Sequence, residues 1–106
     1  MTHYVLLYSG GSGMPEGEEA QAAELKKWEV WYGSMGEAVA DGGNPFGKEM
    51  KISPSGNVSE VAQGTHHTGY SIIKADSFST AVELAKGCPV LGSGGEVAVY
   101  ETFQVM

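Results

Sequence analysis

The chain has too little positive charge for a nucleic-acid-binding protein and lacks the apolar run that a membrane span requires. Its 106 residues carry 13 acidic and 6 basic side chains, for a formal net charge of −7. Such a surface repels phosphate backbones, and no basic stripe interrupts it, so no nucleic-acid partner is expected. No apolar stretch reaches about 18 residues, so no membrane span is expected either. The acidic surface is interpreted as solubilising.

Cysteines and targeting signals are also scarce. Cys88 is the single cysteine, so an intrachain disulfide is excluded. The opening residues, Met-Thr-His-Tyr, lack the basic and apolar regions of a secretory signal, and together these features predict a reducing, cytoplasmic setting. No His or Cys spacing typical of a structural metal site occurs. Neither glycine-rich segment has P-loop or GxGxxG spacing, and no cofactor is expected.

The segment from 69 to 100 carries the clearest structural pattern in the chain. Aromatic and β-branched residues at 70–74 predict a strand. Apolar residues at helical spacing follow over 78–85. Gly87, which can adopt a left-handed conformation, ends that helix, and residues 96–105 predict a long final strand. The segment is therefore a β-α-β unit.

The first half repeats this plan less regularly. Residues 3–8 predict an apolar strand, and apolar side chains then recur at helical spacing as far as Val39. Turn residues at 41–45 follow this helix. Gly33 and Gly36 interrupt it and indicate close packing or a bend, because each lowers helix stability by about 1 kcal/mol relative to Ala.

The order of elements predicts a single α+β domain over residues 1–106. Residues 49–53 and 57–62 predict a hairpin, giving two helices and four or five strands. This order is typical of the ferredoxin-like split β-α-β arrangement, with an antiparallel sheet. The first strand and the segment 97–100 are apolar on both faces, whereas the helices can cover only one. We therefore expect a homodimer in which two sheets pack face to face into a barrel.

Four stretches carry a resemblance to a known family. They are HYVLLYSGG, KKWEVWYGSMG, DGGNPFG and GYSIIKADSFSTAVELAKGCPVLGSGGEVAVYE. Over most of its length, residues 51–68 excepted, the sequence resembles the YCII-related (DGPF-type) family of dimeric α+β barrels. The resemblance implies the ferredoxin-like dimer. It implies little about activity, because most of the family has no assigned reaction, although the wider superfamily includes isomerases, small monooxygenases and dehalogenating lyases.

The catalytic pair of some family members is missing. Some YCII-type proteins resemble enzymes because a histidine in the first helix is paired with a carboxylate. This sequence has no histidine between Pro15 and Asp41, and its first strand ends in Ser9 rather than an acid. We therefore do not transfer that mechanism to this chain.

Asp41 and His67 are the candidate catalytic residues. His67 can act as a general base near neutral pH, although the pair with His66 is also typical of an exposed loop. Because adjacent strand residues point to opposite faces, the pair is not expected to chelate one metal. Asp41 can act as a base and Asn44 as an oxyanion donor, but both types also form local Asx-turns. Cys88 follows a helix C-terminus, which raises a thiol pKa, so it is not expected to be a nucleophile.

The candidate ligand-binding residues are Trp31, Asn44, Tyr70 and His3. Trp28 and Tyr32 fall on the main apolar stripe of the first helix and are predicted to be core. Trp31 lies one step off this stripe, which leaves a pocket wall and a dimer contact both open. His3 begins a strand, where it either contacts a ligand or lies at an edge.

Two functions from different classes remain open. The first is a binding protein of unassigned molecular activity that holds a small organic metabolite in a cleft between the sheet and helices of a homodimer. The second is a cofactor-independent lyase or isomerase that moves a proton, with Asp41 or His67 as general base. A buried Asp or His without a structural partner would favour the enzyme. A dry apolar cavity lined by Trp31 and Tyr70 would favour binding.

Overall fold

The computed structural model describes residues 1–11, 15–61 and 66–105, and the α+β class is confirmed within them. Short 3₁₀ turns at Gly36–Ala38 and Pro89–Ser93 join some of the elements. The elements, in chain order, are β1 (Thr2–Gly10), α1 (Glu18–Met35), β2 (Val39–Asp41), β3 (Lys51–Ile52), β4 (Val58–Ser59), β5 (His67–Ala75), α2 (Phe78–Ala85) and β6 (Gly95–Glu101).

Four of the strands form one antiparallel sheet in the order β2-β5-β1-β6. Strand β5 lies between β1 and β2, so the first β-α-β unit is split. The register places Leu6 of β1 opposite Ser71 of β5 and Val99 of β6. Strands β3 and β4 pair only with each other, as a separate hairpin.

The sheet strand after α1 was not predicted from the sequence. Residues up to Val39 were expected to be helical, but α1 ends at Met35, because Gly36 adopts a positive φ of 55°. Val39 instead begins β2 and pairs with Ile73 of β5. The predicted hairpin is present, but its paired residues are only Lys51–Ile52 and Val58–Ser59.

The final strand is also shorter than predicted. It ends at Glu101 rather than at residue 105. The Thr102 backbone N–H and hydroxyl both donate to the His3 carbonyl oxygen, at 3.1 and 2.7 Å. These two bonds hold the chain end against the start of β1, and Phe103 beyond them is exposed.

Both helices pack on one face of the sheet. The Phe78 ring of α2 lies 6.0 Å from the ring of Tyr4, and the Trp28 ring of α1 lies 5.3 Å from that of Tyr8. Tyr4 and Tyr8 share a face of β1 with Leu6, and all three are buried. The remaining buried apolar residues are Trp31, Met35, Ile73, Ala75, Ala81, Ala85, Cys88 and Val90.

The opposite face of the sheet carries apolar side chains without a helix over them in the described part of the chain. Residues paired across an antiparallel ladder share a face, which joins Val5 to Ile72 and Tyr100, and Leu7 to Tyr70 and Ala98. We call these six residues the open face. Tyr100, on the edge strand β6, is 53% exposed.

Trp31 joins the two helices. Its indole N–H donates to the Leu84 carbonyl of α2 at 3.0 Å. Gly87 was expected to adopt a left-handed conformation, but its φ is not positive. Its missing side chain matters instead because a Cβ there would lie 2.9 Å from Trp31 Cδ1. At Gly33, by contrast, an added Cβ would meet no described atom within 4 Å, so the expected close packing is not found there.

Candidate ligand-binding cleft

A cleft of about 380 Å³ opens between α1 and one end of the sheet. This volume is within the range of small-molecule sites, roughly 300–1,000 Å³. Four parts of the fold surround the cleft. They are one face of α1, the end of β1, the start of β5 with the turn after β2, and the 3₁₀ turn before β6. The lining residues are Tyr8, Gly10, Glu24, Leu25, Trp28, Tyr32, Gly42, Gly43, Asn44, Pro45, Thr68, Gly69, Tyr70, Val90 and Ser93.

An aromatic wall forms one side of the cleft. Trp28 and Tyr32 are one helical turn apart on α1 and therefore share a face, with ring centroids 5.9 Å apart. Tyr8 meets Trp28 edge-on from the sheet. Its neighbour across the ladder, Gly69, has no side chain to cover the Tyr8 ring. The wall is therefore apolar, with hydroxyl groups at its edge.

A buried hydroxyl network fixes this wall. The Tyr8 hydroxyl donates to Ser71 Oγ at 2.6 Å, and Ser71 Oγ donates to the Gly42 carbonyl at 2.8 Å. The Tyr32 hydroxyl donates to the same carbonyl at 3.0 Å. Ser71 is fully buried, and its hydroxyl both accepts and donates a hydrogen bond in this network. The network connects α1, the sheet and the turn after β2, so the cleft is pre-formed.

Burial makes the groups around this network poor bases and nucleophiles. It raises the pKa of Tyr8 and that of Tyr32 above the usual value. Burial also raises the pKa of the Cys88 thiol to about 11, although bonds to the Val90 backbone and the Tyr8 hydroxyl act in the opposite direction. The direction predicted for Cys88 is confirmed, but its main cause is burial, not the helix dipole. All three groups stay protonated at neutral pH.

The turn after β2 runs along β5 and forms the rim of the cleft. The Gly43 N–H donates to Asp41 Oδ1 at 2.8 Å, which makes an Asx-turn. The Asn44 carbonyl accepts from the Tyr70 N–H at 3.3 Å. Asp41 therefore has a local structural partner and does not line the cleft, whereas Asn44 does.

The structure brings two of the six predicted site residues to the cleft. Asn44 and Tyr70 line it, but register places the Tyr70 ring on the open face, stacked on Phe46 at 5.7 Å. His67 is exposed at the start of β5 and outside the cleft.

The remaining predicted residues lie elsewhere. His3 is exposed opposite Lys74 at the far end of β1. Trp31 is in the core, 5% exposed, while Trp28 and Tyr32 are partly buried against the cleft. The roles expected for the two tryptophans are thus exchanged. The neighbour of His67, His66, pairs through Nδ1 with the Glu49 carboxylate near the hairpin.

Sequence reasoning missed the acidic group of the cleft. Glu24 lines it, and its side chain is only 20% exposed. Glu24, Trp28 and Tyr32 follow one another at a spacing of four, which places them on one helix face. That spacing was visible in the sequence, but a glutamate on a surface helix is ordinarily solvated.

The described lining contains no lysine, arginine or histidine, and the six basic residues of the sequence are all lysines. Elsewhere among the described residues, no group of three His, Cys, Asp or Glu side chains is placed to hold a metal ion. None of the helices in the described ranges is long and apolar enough to cross a membrane.

Comparison with known proteins does not add to these observations. No protein-family model matches the chain, and no curated protein matches it. Its kinship with the YCII-related family therefore stays a prediction from the four stretches of sequence that resemble that family.

Proposed function

We propose that the protein binds a small organic molecule in the cleft beside α1. One observation carries the proposal: the cleft has the size and the apolar, aromatic wall of a binding site, and neither candidate base lies in it. Its hydroxyl groups are held by the buried network around Ser71. A pre-formed apolar cleft with few polar groups is the usual form of a small-molecule site.

No observation in the described structure favours the competing hypothesis of a lyase or isomerase. The Asp41 carboxylate accepts a hydrogen bond within its own turn, and His67 is exposed at the start of β5. The tyrosine hydroxyls at the cleft have raised pKa values, so they do not supply a base near neutral pH. We therefore assign binding rather than catalysis to the cleft.

The binding protein is proposed to be a homodimer that packs through its open faces, as in the ferredoxin-like barrels of the YCII-related family. The single chain exposes 7498 Å², whereas a folded monomer of its mass exposes about 5,700 Å². The excess is comparable with what each chain buries in a large obligate dimer, roughly 1,000–2,500 Å². A buried, unpaired Cys88 suits the proposed cytoplasmic setting.

A thermal-shift screen of the purified protein against small metabolites tests the binding function. A ligand specific for the native state at 100 times its Kd adds about 2.7 kcal/mol of stability. Binding should also change the emission of Trp28, which lines the cleft.

Two matched variants locate the site. Leu25 lines the cleft and is 52% exposed, whereas Val30 on the same helix is 60% exposed and outside the cleft. Leu25→Lys should weaken every hit at least tenfold, and Val30→Lys should not. The proposal fails if no compound stabilises the protein, or if all hits bind Leu25→Lys as they bind the wild type.

A further inference from the structure

We propose that the cleft selects arylalkylamines, in which one or two carbons separate a positively charged amino group from a planar ring. This inference rests on the proposed binding function and names the chemical class of its ligand. It starts from Glu24, the one carboxylate among the described lining residues.

The Glu24 carboxylate is placed to receive a cation. Its side chain is four-fifths buried, and its contact with Lys27, at 3.4 Å, uses Oε2. The Lys27 side chain is 67% exposed and does not line the cleft. An i,i+3 pair with an exposed lysine contributes little to stability. A carboxylate accepts several hydrogen bonds at once, so an amine from the cleft side can add to the Lys27 contact.

The aromatic wall lies where the ring of such a ligand would bind. Glu24 and Trp28 are neighbours on one face of α1, and neighbours four residues apart have Cβ atoms about 5–6 Å apart. An ammonium group at Glu24 would therefore lie beside the Trp28 ring, which attracts cations through its face. The rest of the ligand would pack on Trp28 and Tyr32.

Charge excludes the opposite class of ligand. No basic side chain occurs in the described lining, and the chain as a whole carries a net charge of −7. Such a field raises the local concentration of cations and lowers that of anions. A carboxylate or phosphate ligand would also have to lose water beside Glu24 without a counter-ion. Organic acids are therefore poor ligands for this cleft.

Three probes of similar shape test this selection by titration calorimetry. They are tryptamine, which is a cation, tryptophol, its neutral alcohol analogue, and indole-3-acetate, an anion. We expect tryptamine to bind at least tenfold more tightly than tryptophol, and indole-3-acetate to bind most weakly. The preference for tryptamine should shrink as salt is raised, because the carboxylate is partly exposed.

Glu24→Gln and Glu29→Gln separate a site effect from a general charge effect. Both variants remove one acidic charge from α1, but Glu29 is exposed and outside the cleft. Glu24→Gln should abolish the tryptamine preference and leave tryptophol binding within about twofold, since the aromatic wall is unchanged. Glu29→Gln should retain the preference.

The outcomes distinguish this inference from the function on which it rests. Equal binding of tryptamine and tryptophol overturns the amine selection but supports a binding cleft. Retention of the preference in Glu24→Gln overturns the role of Glu24. Absence of binding by all three probes overturns the inference, and the metabolite screen with Leu25→Lys then decides whether the cleft binds any small molecule.

Discussion

Cys88 shows how burial determines the chemistry of a single side chain. Its position after α2 predicted a raised thiol pKa, and that direction is confirmed. The sequence could not supply the main cause, because burial of Cys88 results from packing against Tyr8 of β1, eighty residues earlier. A thiol pKa raised by burial makes the stability of the fold depend on pH. A helix dipole at an exposed terminus would have this effect only weakly.

Stability should fall as the pH rises above about 9, the usual pKa of a cysteine thiol, towards its folded value of about 11. In this window the unfolded chain loses the thiol proton and the folded chain keeps it, so deprotonation favours unfolding. Urea midpoints measured from pH 8 to pH 11 check this. In Cys88→Ala the decline between pH 9 and pH 10 should be smaller, and the part that remains comes from the tyrosines, whose pKa values are also raised by burial. An unchanged decline in Cys88→Ala would contradict the prediction.

The site residues could be predicted only in part, for reasons visible at single positions. Asn44 was found because turn residues between strand and helix patterns are conspicuous. The roles predicted for Trp28 and Trp31 were exchanged. Spacing defines an apolar stripe on α1, but it does not show which edge of the stripe meets α2. That choice is made by the bond from the Trp31 indole to the Leu84 carbonyl, 53 residues away. Glu24 was missed because its burial depends on the cleft itself.

Among the elements, the turn after β2 has the most demanding geometry. Gly43 has a φ of +77°, and a Cβ there would lie 1.7 Å from the Tyr70 carbonyl oxygen. Neither the φ nor the contact can be relieved by a side-chain movement. After Gly43, the Asn44 carbonyl and the Phe46 N–H bond to the backbone of β5, and the turn forms the rim of the cleft.

Gly43→Ala should therefore destabilise the protein by roughly 2–4 kcal/mol, through a backbone clash and a strained φ. Gly47→Ala is the matched control, since Gly47 lies in the following loop without a positive φ or a described atom within 4 Å of an added Cβ. Urea unfolding of both variants measures the difference. Equal midpoints for the two variants would show that the turn is not fixed to β5 as described.

The elements themselves followed from the sequence where a periodic pattern was long. Strand β1 lies where a continuous apolar run predicted it, β5 where aromatic and β-branched residues did, and helix α2 where apolar side chains recur at helical spacing. Strand β2 was missed because three residues are too few for a periodic pattern. Its partner across the ladder, β5, decides its conformation. Strand β6 ends early because its partner has few residues left to pair: the ladder ends at Tyr4 opposite Glu101, and β1 begins at Thr2.

For the whole molecule, the open face dominates the physical behaviour expected in solution. The radius of gyration is 15.3 Å, compared with about 13 Å for a compact domain of this length. The molecule is only 18 Å thick along its shortest axis. A flat molecule with an apolar open face needs a second surface to cover that face. A second copy of the chain would supply it, which supports the proposed dimer.

Light scattering should find a dimer at micromolar concentration, and Leu7→Lys should convert it to a monomer. Leu7 lies in the middle of the open face, between Tyr70 and Ala98. A charge buried there between two sheets would lack a partner. Val30→Lys, on the exposed side of α1, should leave the dimer intact. A wild-type monomer at these concentrations contradicts the proposal. A Leu7→Lys protein with the same mass by light scattering as the wild type would also contradict it.

The thinness of the chain has a consequence for mixed dimers of intact and variant chains as well as for folding. A molecule 18 Å thick holds one core layer between its sheet and its helices. In the proposed dimer the second layer, between the two sheets, would belong to neither chain alone. A chain with a damaged open face would then be left out of dimers, whereas a chain damaged only in the cleft would still pair with an intact one. The intact chain of such a mixed dimer would keep its own cleft, because the described lining residues all belong to one chain.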